Sequence, residues 1–309
     1  MTGADRAVSE GPLDSTIRPQ RRGRGAQRRQ KWGFLFILPI LVLFVIFRFL
    51  PVLTAIVISL FRYGLLGTPT FDGLQNYLTL FRDPDFYQSL LATAYFVVGS
   101  CLPIWVLSLF LALLLNRKMR GMSFFRMAFF LPAIIPTVVL PVLWRFLYHP
   151  YGLINSLLET VGIPGVNWLG SAQAVIPGFI LTISWRFIPL FMVIYLAGLQ
   201  SIPQEIDEAA RIDGASSMQR FFRITVPLLA PTILVVIITS VILTAKSLPL
   251  ALLMTDGGPG NASRLLSLFI YQNAFVYYRM GYASAVSMVL LVILGTFTIL
   301  LLRLNRDQA

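Results

Sequence analysis

The chain predicts an all-α integral membrane protein with six transmembrane helices and both termini on the cytoplasmic side. Three observations carry this. Hydrophobic residues fill 57% of the 309 positions and charged residues only 12%, about half the charged share of a soluble domain. Six apolar stretches, at 33–60, 86–115, 124–147, 174–199, 226–248 and 282–302, are each long enough to cross a hydrocarbon core of about 30 Å at about 1.5 Å per helical residue. Finally, 17 of the 25 Lys and Arg residues lie in 1–31, 116–126, 201–225 and 303–309, alternate segments that share one side of the membrane. Arg62, Arg82, Arg264 and Arg279 lie on the other side, and Arg48, Arg145, Arg186 and Lys246 sit in or at the ends of spans. A bias of that size puts the basic segments inside.

The same numbers exclude several function classes. The net charge of +12 does not point to nucleic acid, because the basic residues flank apolar spans. One cysteine, Cys101, and one histidine, His149, cannot build a disulfide framework or a Cys/His metal site. No phosphate-binding G-x-x-x-x-G-K-[ST] loop occurs, so the chain is not itself an ATPase of that kind. No pair of carboxylates and no Ser/His/Asp set lies among the spans, which leaves an intramembrane enzyme without support.

Taken in order, residues 1–31 read as a disordered basic tail, too rich in Arg, Gln, Gly and Pro to bury a core. The domain proper is 32–303, and 304–309 is a second cytoplasmic tail. The first span exceeds the length of an h-region and no small-residue cleavage site follows it, so it is a retained span rather than a signal peptide. Outside, Phe71-Asp72-Gly73-Leu74-Gln75-Asn76-Tyr77 reads as a turn followed by a short helix. The second span ends on a basic stop at Asn116–Gly121. The third carries Pro132, Pro136 and Pro141, tolerated where neighbouring helices satisfy the freed carbonyls. An outer loop over 148–172 leads to the fourth span. After the fifth span, Gly257-Gly258-Pro259 marks an external turn. An amphipathic stretch over 265–279 that lies outside or re-enters then precedes the sixth.

Between the fourth and fifth spans lies a polar island, 201–231, with four acids: Glu205, Asp207, Glu208 and Asp213. It reads as helix, break, helix. Ser201 with Gln204, and Ser216 with Gln219, have capping-box spacing. Pro203 suits a first helical turn, the acids favour the N-terminal end of the helix dipole, and Gly214 suits a left-handed stop. Ala209, Ala210, Gly214 and Ala215 are small enough for a partner surface to approach the backbone. Phe221, Phe222 and Ile224 give the second helix an apolar side.

The order Glu208-Ala209-Ala210, three residues, Gly214-Ala215, then Phe221, Ile224, Pro227 and Pro231 resembles the EAA loop of ABC importer permeases. Other segments resemble the maltose, oligosaccharide and glycerol-phosphate branch of that family: Phe71–Tyr77, Leu131-Pro132 with Pro136, Pro150–Asn155, Asn167-Trp168-Leu169 and Leu253–Pro259. The resemblance implies the type I permease fold in a bacterial or archaeal cytoplasmic membrane. It implies a second homologous permease as heterodimer partner, two ABC ATPase subunits and an extracytoplasmic solute-binding protein. ATP and Mg would bind the ATPases, and no cofactor this chain. In that family the loop over 201–225 forms coupling helices that dock on the ATPase. This transfers the coupling role to Glu205, Glu208, Ala209, Ala210, Asp213, Gly214, Ala215 and Phe221, and puts Gly257, Gly258 and Pro259 in the outer loop that faces the binding protein. Alternating access would carry a carbohydrate, either an oligosaccharide, acidic ones included, or a polyol phosphate.

Arg186 lies about 21 Å above the inner end of its span at helical rise, and a charge at that depth marks a functional site. Lys246 lies near the outer end of the fifth span. Both are candidates for holding a polar or anionic substrate, with Trp185, Tyr195, Trp144, Trp105 and Tyr148 as aromatic faces for a sugar ring. The rival class is an ion-coupled secondary transporter or channel, which usually carries membrane-depth acids. The six stretches contain none.

Overall fold

The computed structural model describes residues 37–64, 67–116 and 121–306. The basic tail over 1–31, the basic stop over 117–120 and the last three residues lie outside them. The described residues up to Thr54 form one unit and those from Ala55 onward a second.

The first helix, α1, covers Ile37–Ile58 with mean hydropathy 2.7 in its most apolar window. It widens to π geometry over Val45–Phe49. Its leucines, valines and phenylalanines are exposed.

The second unit is organised around two long helices, α3 (Pro84–Leu115) and α7 (Val175–Gln200). They form its most extensive helix pairing. The buried face of α3 is a ladder of Ser89, Thr93, Phe96, Ser100, Ile104, Ser108, Ala112 and Leu115, helical in spacing and mostly small. Small residues let backbones approach in a membrane, where apolar side chains gain little by leaving lipid. Two of their hydroxyls are held locally, Thr93 donating to Ser89 O at 2.7 Å and Ser108 to Ile104 O, while Ser89 Oγ and Ser100 Oγ have no partner among the described residues. Against this ladder α7 packs Ile176, Phe179 and Ile183 in one cluster and Phe191, Met192, Tyr195 and Leu199 in another.

The third predicted span is broken. Helix α4 (Met122–Ile134) and α5 (Val139–Leu147) meet at 99°. Pro136 is the cause: the residue before a proline is driven out of helical geometry, and Ile135 is extended at φ −61° and ψ 127°. The described residues therefore hold five helices long and apolar enough to cross, and six spans with this bent pair as one. The fifth span also runs on further than expected. Helix α10 (Ala230–Ala245) pauses at Lys246-Ser247 and continues as α11 (Leu248–Met254).

The outer loops are built rather than slack. Strands β1 (Phe61–Arg62) and β2 (Thr70–Phe71) pair antiparallel and lead to α2 (Gln75–Leu80). Asn76 Nδ2 donates to Ser59 O and Phe61 O, both at 2.9 Å, and the Tyr77 hydroxyl bonds the Ser59 hydroxyl at 2.8 Å. In the second loop, around α6 (Leu153–Thr160), Asn155 is 1% exposed. Its amide donates to His149 O, Pro150 O and Val166 O, and its Oδ1 accepts from Val166 N and Trp168 Nε1.

The stretch over 265–279 is buried or half-buried along 265–274 and exposed from Phe275 to Arg279. Helix α12 (Leu266–Tyr271), extended by a π turn over Gln272–Val276, sinks Leu266, Leu268, Phe269, Asn273 and Ala274 between its neighbours. The last helix, α13 (Met280–Arg306), buries Tyr282, Ala283, Ala285 and Val286 near its start. Its later apolar residues, such as Leu291, Ile299 and Leu302, are exposed.

Candidate coupling surface and membrane cavity

The polar island folds as helix, break, helix. Helix α8 covers Gln204–Ile212 and α9 covers Ser217–Arg220, which runs through a π turn at Phe221–Thr225 into Val226–Leu228. Gly214 has φ +78°, the left-handed stop. Gly214 N bonds Arg211 O at 3.2 Å and Ala215 N bonds Ala210 O at 3.0 Å, the paired bonds of a Schellman cap.

Only one of the two expected capping boxes forms. Ser216 Oγ accepts from Gln219 N at 3.3 Å and Gln219 Oε1 accepts from Ser216 N at 2.8 Å. Ser201 instead donates to Gly198 O at 2.8 Å and stays with the end of α7. Pro203 takes the N-cap position of α8 and offers no side-chain cap.

An ion pair that spacing did not signal joins the two short helices. Arg220 Nη1 reaches Asp207 Oδ1 at 2.8 Å, 13 residues away. Arg220 also donates to Ser217 Oγ at 3.3 Å. Glu205, Glu208, Ala209, Asp213 and Gly214 are exposed, Ala215 and Phe221 are half-buried, and Ala210 is buried. Among the described residues Glu205, Glu208 and Asp213 make no ion pair. Ile212 is 86% exposed, and Met218 and Phe222 are also exposed.

The membrane candidates separate. Arg186 and Lys246 line one cavity of about 210 Å³ with Thr137, Pro141, Phe187 and Ser247 among its walls. Three helix features meet there: the α4–α5 break, the α10–α11 break and the middle of α7. Arg186 Nη2 donates to Thr137 Oγ1 at 2.9 Å, and its Nη1 is buried with no partner among the described residues. Trp144 is buried and packs edge-on against Trp185 at 5.6 Å. Tyr195 is 2% exposed in the lower α3–α7 cluster. These three aromatics are not among the lining of the cavity. Trp105 donates to Ser240 Oγ at 2.8 Å and Tyr148 to Gly178 O at 2.7 Å, so both tie helices together.

The outer turn is a tight construction. Asp256, Gly257, Gly260 and Asn261 have φ of 50°, 89°, 56° and 64°. The Ser263 hydroxyl donates to Gly258 O at 2.6 Å. Gly257 is buried against Arg264 and Leu268, while Gly258 and Pro259 are half-buried. Arg264 itself, read from the sequence as an external charge, is 5% exposed and pairs with Asp85 Oδ1 at 2.8 Å. Nearby, Tyr282 donates to Asp83 Oδ2 at 2.6 Å. The start of α3 thus holds the C-terminal third of the chain, a tie that crosses far too much sequence for local pattern to reveal.

A family model described as binding-protein-dependent transport system inner membrane component matches residues 89–307. The trehalose/maltose transport system permease protein MalF of Thermococcus litoralis is 36% identical over 90% of this chain and 95% of its own. The starch degradation products transport system permease protein AmyD of Thermoanaerobacterium thermosulfurigenes, described as probable, is 33% identical over 90% and 94%. Among solved structures, a chain of the bacterial alginate ABC transporter, in complex with an alginate pentasaccharide-bound periplasmic protein, superposes with a TM-score of 0.78 at 22% identity, covering 91% of this chain and 96% of that one. The chain belongs to the family of binding-protein-dependent transport system inner membrane components, and is a multi-pass translocation subunit of an ABC importer rather than one of its ATPases.

Proposed function

We propose that this subunit imports a carbohydrate by alternating access and takes its drive through 201–225. The coupling surface carries this reading. A capped helix pair, braced by the Arg220–Asp207 bond, presents unpaired Glu205 and Glu208 and the bare side chains of Ile212, Met218 and Phe222. Rigid capping suits a part that must transmit force. The residues given the docking role are Glu205, Glu208, Ala209, Ala210, Asp213, Gly214, Ala215 and Phe221, with Ala210 inside the segment rather than on its face. The carbohydrate class is supported by the relatives, whose names concern trehalose and maltose or starch products.

The partners are a second homologous permease, two ATPase subunits that bind ATP and Mg, and an extracytoplasmic binding protein. The turn at Gly257, Gly258 and Pro259 is the surface assigned to the latter. The ion-coupled alternative has no observation in its favour.

The test is to tag the chain, extract it gently and identify what co-purifies. Recovery of an ATPase subunit and a second six-span chain, both lost in a Glu208→Lys variant that still inserts, is the expected result. Recovery of the chain alone, moving solute in liposomes without ATP, overturns it.

A further inference from the structure

We propose that the Arg186–Lys246 cavity receives the carboxylate of an acidic sugar. This rests on the carbohydrate-importer reading and names the substrate class of its membrane site. Two cations line the cavity and no acid does. Among the described residues Lys246 makes no ion pair, and Arg186 spends only one nitrogen, on Thr137.

A structural arginine at membrane depth satisfies its donors, because each unmet donor is expensive there. Arg186 leaves Nη1 buried and open, the side of the fork that a carboxylate would complete in bidentate geometry. Position at the end of α10 accounts for a cation at Lys246. It does not account for a second cation across the same space. Thr137 and Ser247 add hydroxyls, and Pro141, Phe187 and Leu250 add flat apolar wall for a ring face. The volume of about 210 Å³ is many times the ~10–15 Å³ that a single water needs on the same measure, which leaves room for a sugar ring. Arg186 and Lys246 stand on different helices, so a group held by both bridges α7 to the α10–α11 break.

The test reads charge inside the cavity. Cys101 is the lone cysteine of this chain, so Cys101→Ser with Thr137→Cys, assembled with cysteine-free partner subunits, gives one reporter thiol. The assembled transporter is placed in nanodiscs of neutral lipid, which removes headgroup anions as occupants. Rates are measured with an anionic (sulfonatoethyl) and a cationic (trimethylammonioethyl) methanethiosulfonate. The anionic-to-cationic ratio is expected to exceed that of a free thiol by about tenfold. It should collapse in Arg186→Gln/Lys246→Gln and persist in Arg186→Lys/Lys246→Arg, which guards against a folding defect. Digalacturonate should then slow the anionic reagent, and its uncharged methyl ester should not. An unreactive thiol, an unbiased ratio, or equal effects of acid and ester overturns the proposal. Co-purification of the ATPase reads the coupling surface alone and the thiol ratio reads the cavity alone, so failure of the cavity reading is distinguished from failure of the coupling reading.

Discussion

Asn155 is the residue whose deletion should be felt most widely outside the membrane core. Its amide closes the second outer loop by bonding three carbonyls, one backbone N–H and the Trp168 indole. Buried groups left unmet cost about 1–3 kcal/mol each. Asn155→Ala should therefore destabilise by about 3 kcal/mol, read as a lower Tm of the detergent-purified chain. No shift would mean that water replaces the amide. Gly214 is the second sensitive residue. At φ +78° a β-branched side chain meets a penalty of about 1–2 kcal/mol, and Gly214→Val must distort the stop between α8 and α9. The expected outcome is normal insertion, with ATP-driven uptake lost. Uptake at the parental rate would remove Gly214 from the coupling role. Left-handed glycine stops are legible in sequence because they depend on one residue's sterics. The Ser201 box was not, because two caps competed for the same serine and the end of α7 took it.

Among the elements, the α8–α9 pair and the broken α4–α5 span make the sharpest predictions. The Arg220–Asp207 bond lies at a half-open surface, where such pairs contribute under ~1 kcal/mol. Asp207→Ala should leave Tm almost unchanged while more ATP is hydrolysed per solute moved. The swap Asp207→Arg/Arg220→Asp should recover part of the coupling; no recovery would make the pair incidental. For the broken span, Pro136→Ala should lengthen the distance between spin labels at Phe129 and Leu143 as the 99° bend opens. An unchanged distance would assign the bend to packing rather than to the proline. Hydropathy announced this span by length alone and said nothing of its direction. It left the 265–279 stretch open between lying outside and re-entering for a related reason: an amphipathic pattern tells which face is apolar, not whether protein or lipid covers it.

At the scale of the whole chain, topology was the most legible property, since bilayer thickness and the basic-residue bias each act on composition alone. Long-range ties were the least legible. Asp83 with Tyr282, Asp85 with Arg264 and the shared cavity of Arg186 and Lys246 each join residues that only the fold makes neighbours. Helix α7 ends at Gln200, where the segment proposed to dock begins, and Arg186 stands on the same helix about 21 Å higher, one turn above Pro189. The rod is stiffly mounted at its foot, where Gly198 leaves no room for a side chain beside Thr232. It is a lever with its load part-way along. A tilt of about 5° at the foot sweeps the guanidinium through ~2 Å, enough to part the 2.9 Å bond to Thr137. Displacements too slight to remodel any helix would then suffice to grip or release cargo.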